Sequence, residues 1–258
     1  MENTMDFGNG LKLIPHLIDA PLVASSLQRI ETIYEKLQAA RESGEGTNLK
    51  DTVGPNERFL PTASSFTIGA AFSKEHLAEI LAAIRRPTAK DWITEQLGDD
   101  VVCNLDESWI RRQYAPARYP RFHAPHGWHQ DGALGFDFHA HPTGDFPTDA
   151  LLQMVTCWIA LVDCGTDAPG LELLRRRFEN LVPPSELQDD QIRNRFASDE
   201  IVHPVMEAGD ALLFRGDILH RTHVSAAMTK DRTSIELRFF SAEEVPARLR
   251  SNRFVCLD

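Results

Sequence analysis

The segment Trp128-His129-Gln130-Asp131-Gly132 offers an imidazole and a carboxylate two residues apart. On an extended backbone, residues i and i+2 project to the same face, so one metal ion could take both. Far downstream, the run that begins at Gly209-Asp210 and passes through Leu212, Leu213 and Phe214 ends at a second imidazole, His220. Arg232-Thr233-Ser234 then heads another strand-like run. Two histidines and one carboxylate form the facial ligand set of non-haem iron(II), which leaves coordination positions open. Arg232 and Ser234, at i and i+2, can face one cavity together. There a guanidinium forks onto a carboxylate and the hydroxyl adds a third bond.

Taken in register, four motifs resemble the phytanoyl-CoA dioxygenase family, within the Fe(II)/2-oxoglutarate-dependent oxygenases. They are His129-x-Asp131, Thr156-Cys157-Trp158-Ile159-Ala160-Leu161, the Gly209-Asp210 turn ahead of His220, and Arg232-Thr233-Ser234. The resemblance implies Fe(II) held by His129, Asp131 and His220. It implies 2-oxoglutarate as cosubstrate, with its distal carboxylate on Arg232 assisted by Ser234, and dioxygen as oxidant. Gln113, on an early strand, and Thr156, on the strand after the metal loop, are further expected cosubstrate contacts. Relatives that halogenate have a small residue in place of the carboxylate, so Asp131 implies hydroxylation or another C–H oxidation. The chain also departs from the family. Many members carry Pro-Gly-Ser-His after the Cys-Trp-Ile-Ala-Leu strand, whereas here the chain reads Ala168-Pro169-Gly170-Leu171-Glu172. The substrate, free or carrier-tethered, is therefore left open, and so is any CoA thioester.

Two other readings compete. His139-Ala140-His141, followed by Asp145, resembles the start of a cupin metal site that would not use 2-oxoglutarate. Pro142 and Gly144 suit a loop better than a strand, so a substrate-contacting loop is the plainer expectation. The other reading is a non-catalytic jelly roll that only binds a ligand. His223 is set aside as a metal ligand, because positions 220 and 223 of an extended segment face opposite ways. Asp217 reads as a turn residue. Arg238 shares the parity of Arg232 and is left to pair with Glu236 or Asp210. Arg111, Trp128 and Trp158 are expected near the pocket, and the Arg175–Arg177 run reads as a solvated face that could meet an anionic substrate.

These side chains need a scaffold, and two patterns supply it. The first hundred residues read as helical. Asp19 caps a helix with Pro21 in its first turn and Leu27, Ile30, Tyr34 and Leu37 on one face, ended by Gly44 and Gly46. A loop over 45–65 follows. Ser73 then caps a helix bearing Leu77, Ile80, Leu81 and Ile84, stopped by Pro87. Thr88 caps a third helix through Trp92, Ile93 and Leu97 to Gly98. From residue 101 the pattern becomes short strands between Gly/Pro turns: 101–103, 108–114, a buried run over 151–163, 201–215 around the Gly209-Asp210 turn, and 232–241. Residues 132–149 read as a long loop, and 165–200 as irregular with a short helix near Ser185. The expectation is a mainly β fold with added helices. Its core is a double-stranded β-helix (jelly roll, cupin-like) with N-terminal helices packed outside, in one domain over 1–258 divided into a helical 1–100 and a core 101–258.

Composition bounds the rest. A chain of 258 residues, 42% hydrophobic and 25% charged, can bury a core without covalent staples. Its net charge of -11 argues against nucleic acid or an anionic membrane as partner. The four cysteines form no C-x-x-C pair, which argues for free thiols in a reducing cytoplasm. The N-terminus lacks signal-peptide character, and no apolar run reaches membrane-spanning length. A small molecule is the expected partner; oligomeric state is left open.

Overall fold

Residues 4–42, 62, 64–118 and 124–257 are described in the computed structural model. The chain opens with a hairpin, β1 (Met5–Gly8) and β2 (Leu11–Ile14), then α1 (Ala20–Glu42). Asp19 caps α1 as expected, its Oδ1 accepting from the Leu22 N–H at 2.9 Å. The expected end of this helix at Gly44 and Gly46, and most of the 45–65 loop, lie outside the described residues. Next come β3 (Ser65–Thr67), a single turn α2 (Ile68–Ala71), α3 (Lys74–Ile84) and α4 (Pro87–Leu97). Ser73 caps α3 through the His76 N–H. Pro87 does not merely stop α3; it opens α4 at the first helical position, where its missing N–H costs nothing, so Arg86 is the cap and Thr88 lies inside the helix.

Eight strands build the core from there: β4 (Val101–Gln113), β5 (His129–Gln130), β6 (Val155–Ala160), β7 (Gly170–Leu174), β8 (Ile201–Val202), β9 (Ala211–Arg215), β10 (Leu219–His223) and β11 (Arg232–Ser241). A seven-residue helix α5 (Asp189–Arg195) sits between β7 and β8, and β12 (Phe254–Cys256) closes the described chain. The larger sheet runs β1-β2-β9-β6-β11-β4-β12, with β3 also on β4; the smaller runs β5-β10-β7-β8. All pairs are antiparallel, and β4, β5, β6 and β7 fall in alternate sheets, as do β8, β9, β10 and β11. That alternation is the winding of a double-stranded β-helix.

Strand parity explains the layers. On β11, Thr233, Ile235, Leu237 and Phe239 face outward and are buried. With Cys157, Ile159, Ala211 and Leu213, the apolar three (Ile235, Leu237 and Phe239) form one cluster that also contains Ile30, Tyr34 and Leu37 of α1, Ile80, Leu81 and Ile84 of α3, and Trp92 and Ile93 of α4. Each Leu, Ile or Phe among them contributes about 1.5–3 kcal/mol by burial, so the helices are held as an outer layer by the sheet's outer face. A second cluster lies between the sheets, with Leu11, Leu13, Trp158, Leu212 and Phe214 meeting Leu171 and Leu173. The opposite end of that interior is polar: Arg232, Ser234, Glu236 and Arg238 point inward along β11.

Three further expectations change. The N-terminal hundred residues are not only helical, because β1, β2 and β3 extend the larger sheet; short strands at a sheet margin carry little periodicity. The two expected segments over 101–103 and 108–114 are one strand, whose pairing with β11 shifts register between Glu236 and Arg238. The supposedly irregular 165–200 region holds β7, which is buried along its whole length and so shows no alternation.

Candidate active site

His129 and His220 are directly opposed on β5 and β10, so the sheet sets them side by side. Their rings lie 4.2 Å apart between centroids. Each ring is fixed in rotation and tautomer by its own backbone: His129 Nδ1 donates to the Gly127 carbonyl at 2.7 Å, and His220 Nδ1 to the Ile218 carbonyl at 3.1 Å. A carbonyl can only accept, so each Nε2 carries the lone pair and is the free ligand atom. Both Nε2 atoms face Asp131 Oδ1, at 3.8 Å and 3.9 Å. Withdrawal from solvent, and then the neighbouring His220, push the His129 pKa down to about 3, which keeps the ring neutral as a metal ligand must be.

Asp131 begins a tight 3-10 turn just past β5. Gln130 is extended, so the i, i+2 relation of His129 and Asp131 survives the end of the strand. Gly132 is required next. Its N–H donates to the Gly216 carbonyl at 2.8 Å, and a Cβ there would lie 2.6 Å from Leu151 Cδ1 and 2.9 Å from the Leu152 carbonyl. This close backbone approach clamps the Asp131 turn against the β9–β10 turn. Gln130 points the other way, its amide donating to the Asp217 carbonyl and accepting from Val182 N–H.

Two side chains hold the carboxylate. Thr156 Oγ1 donates to Asp131 Oδ2 at 2.6 Å, and Arg238 Nη2 donates to Oδ1 at 3.0 Å. Burial works to raise the Asp131 pKa, but Arg238, His220 and His129 outweigh it and hold the group well below the usual carboxylate range. Arg238 thus pairs with neither Asp210 nor principally Glu236; its Nη1 donates to the Glu107 carbonyl at 2.9 Å. The reason is the register shift on β4: it brings Ser108 Oγ onto the Arg238 N–H at 3.1 Å and leaves the guanidinium beside Asp131. Replacing Arg238 by Gln is expected to lower iron affinity about 10- to 100-fold, the usual cost of losing a group that orients a ligand. Affinity for 2-oxoglutarate at saturating iron should stay close to the parent's, and Arg238→Lys should recover part of the loss. Iron titration of the purified variants checks this; unchanged affinity in Arg238→Gln would refute it.

A cavity of about 290 Å³ joins this triad to Arg232, with Gln113, Thr156, Trp158, Leu171 and Phe214 also in its wall. Arg232 is 2% exposed. Its Nη1 donates to the Gly170 carbonyl at 3.2 Å, and its guanidinium lies over the Trp158 ring at 5.1 Å. No described carboxylate forms an ion pair with it, and burial lowers its pKa. Arg232 Nε and Ser234 Oγ are buried with no hydrogen-bond partner. A buried cation and hydroxyl without acceptors are costly unless an acid is meant to enter. These orphaned atoms fit the distal carboxylate of a cosubstrate, and the three convergent donors fit Fe(II). Gln113, opposite Arg232 in register, gives its amide to the Tyr114 carbonyl at 3.3 Å.

Other expected residues fall elsewhere. His139 and His141 lie in a surface loop with a 3-10 turn, where His141 stacks on Phe136 at 5.2 Å, and neither belongs to a group of potential ligands among the described residues. Changing both to Ala should leave iron content at the parent's level; loss of iron there, with His129→Ala still loaded, would move the metal to that loop. Trp128 is not in the cavity wall: it packs with Leu174 and Leu219 and donates to Asp189 Oδ1 at 3.2 Å. The Arg175–Arg177 run is not free for an anionic ligand, since Arg176 pairs with Glu200 and Arg177 with Asp217. His223 does face away from the metal triad. It joins Glu172 and His203 on the outer face, a grouping with no local signal in the sequence, but both Glu172 oxygens already accept from Arg193 and Arg221. Parity with Arg232 was the one available signal for Arg238.

The family described as Phytanoyl-CoA dioxygenase (PhyH) matches residues 8–229. No curated protein matches the sequence. Among solved structures, EctD from S. alaskensis in its apoform superposes with a TM-score of 0.57 at 13% identity, over 91% of this chain and 74% of that one. AviO1 from Streptomyces viridochromogenes Tue57 gives 0.54 at 14% identity, over 92% of each chain. SnoN, a non-heme alpha ketoglutarate dependent epimerase from nogalamycin biosynthesis, gives 0.53 at 13% identity, over 90% of this chain and 78% of that one. EctD has also been crystallised with bound Fe, and with 2-oxoglutarate and 5-hydroxyectoine. At these identities the likeness is one of fold.

Proposed function

We propose, since this chain belongs to the phytanoyl-CoA dioxygenase family, that it is an Fe(II)- and 2-oxoglutarate-dependent oxygenase that oxidises a C–H bond of a small-molecule metabolite. The observation that carries the reading is the shared cavity: a His-Asp-His triad in one wall and, in another, a buried arginine with no described carboxylate partner. His129, Asp131 and His220 would hold the iron, and Arg232 with Ser234 the cosubstrate. When bound, iron, 2-oxoglutarate and dioxygen supply oxidative decarboxylation of the cosubstrate coupled to substrate oxidation.

The protein's own contribution is orientation and desolvation. Gly127 and Ile218 carbonyls lock the two imidazoles; Thr156 and Arg238 lock the carboxylate; Trp158 covers the Arg232 guanidinium and keeps water from it. Asp131 keeps a carboxylate where halogenating relatives have a small residue, which supports hydroxylation. The free thiols Cys103, Cys157, Cys164 and Cys256 suit a reducing compartment, the cytoplasm. No described helix is long and apolar enough to cross a membrane. The test is succinate release from purified protein with Fe(II), 2-oxoglutarate and a panel of metabolites. Iron-dependent succinate formation is the expected result; none, with or without any candidate substrate, would defeat the proposal.

A further inference from the structure

The inward face of β11 carries four polar side chains, and three have assigned work: Arg232 and Ser234 at the cosubstrate end, Arg238 on Asp131. The fourth is Glu236. Resting on the oxygenase reading above, we infer that Glu236 and Arg111 form the substrate-recognition subsite, and that the group it seats is a hydroxyl or amine rather than a hydrocarbon chain.

Glu236 is 8% exposed and lies in the wall of the same cavity as the triad. Its Oε2 accepts from Arg111 Nε at 2.7 Å, while Oε1 takes no hydrogen bond among the described residues. Arg111 lies over the Trp109 ring at 5.6 Å and reaches the exposed His126 ring with Nη1, 3.3 Å from Nε2. Glu236 is not among the convergent metal ligands. A carboxylate buried in a barrel is costly unless its lone pairs are matched. Arg111 matches one oxygen and leaves the other as an acceptor at the cavity wall.

Two consequences fix the ligand class. Arg111 neutralises Glu236, so the pair does not repel the carboxylates of the cosubstrate beside it. A hydrocarbon seated here would strip water from Oε1 and return nothing, whereas a hydroxyl or amine restores the bond. Sites built to hydrogen-bond a substrate discriminate strongly against analogues that lack the group. The remaining wall agrees. Thr62, Ser64, Ser65 and Thr222 add hydroxyls. The large apolar members are otherwise engaged: Trp158 lies under Arg232, Leu171 packs in the cluster between the sheets, and Phe214 packs on His220 at 4.7 Å.

The experiment uses the protein loaded anaerobically with Fe(II) and 2-oxoglutarate, as the parent, Glu236→Leu and Glu236→Gln. The visible absorption of the loaded complex reports iron and cosubstrate binding independently of the subsite. Its absence in the parent would sink the oxygenase reading; its presence leaves the subsite to be judged alone. Ethanolamine, D-glucosamine and L-serine are then titrated as polar probes, cyclohexane and toluene as apolar ones. At least one polar probe is expected to perturb the band saturably in the parent, with affinity about tenfold or more weaker in Glu236→Leu and intermediate in Glu236→Gln. Three results would each overturn the inference: no polar probe perturbing the parent, equal affinity in parent and Glu236→Leu, or an apolar probe binding the parent as tightly as the best polar one.

Discussion

Replacing His220 by alanine is expected to abolish turnover and to weaken iron binding by more than about 100-fold, since even groups that merely orient a ligand cost 10- to 100-fold when lost. The triad has no spare member: among the described residues, the cavity offers His129, Asp131 and His220 and no fourth convergent donor. His220 is 5% exposed and backs onto Phe214, so water cannot readily replace its Nε2 from that side. The cross-strand pairing of His220 with His129 is a backbone feature, so the fold should survive the substitution. Metal content after reconstitution, with circular dichroism as the folding control, decides it. A folded His220→Ala protein that still carries one iron and turns over at the parent's rate would remove His220 from the site.

The second large effect is expected at Arg232. Its replacement by alanine should raise the dissociation constant for 2-oxoglutarate by an amount equivalent to about 2–5 kcal/mol, the cost of truncating one partner of a buried charge pair. The geometry limits the loss to the cosubstrate. Arg232 is not a metal ligand, and its contacts are the Gly170 carbonyl and the Trp158 ring, so iron affinity should be retained. Arg232→Lys should recover only part of the binding, because an ammonium cannot fork onto both carboxylate oxygens. Ser234→Ala should cost less, about 1.5–3 kcal/mol at most, the worth of one hydrogen bond to a charged group. The measurement is a 2-oxoglutarate titration of each variant at saturating iron. Parent-like affinity in Arg232→Ala would place the anchor elsewhere. Arg238 is then a poor substitute, because its two terminal nitrogens already serve the Glu107 carbonyl and Asp131 and leave only Nε without a partner, so it cannot fork onto a second carboxylate.

The His129 and Asp131 half of the candidate triad was legible in the sequence because its geometry is local, whereas His220 came from the family resemblance and joins it only by cross-strand pairing. Two residues at i and i+2 on extended backbone share a face whatever surrounds them, and Gln130 is extended. The same alternation marked Arg232 and Ser234 as a pair, and helix periodicity found the buried faces of α1, α3 and α4. What stayed hidden was set by register between distant strands. Arg238 reaches Asp131 across 107 positions of sequence, through a strand pairing that shifts register beside Glu236. Arg111 meets Glu236 across 125 positions, and Thr156 meets Asp131 across 25. Local periodicity says which face a charged side chain takes, but the choice among partners on that face depends on where the bulge falls and which groups lose water together. β7 was missed for a related reason: a strand buried on both faces has no alternation to read. Alternation and turn chemistry were enough to indicate a jelly roll, and the motifs in register carried the family resemblance that implied the ligands and the anchor. Which buried charge neutralises which was settled by desolvation and cross-strand register in the folded chain, and among the described residues these leave Arg232 without a carboxylate partner and Glu236 with one oxygen free of hydrogen bonds.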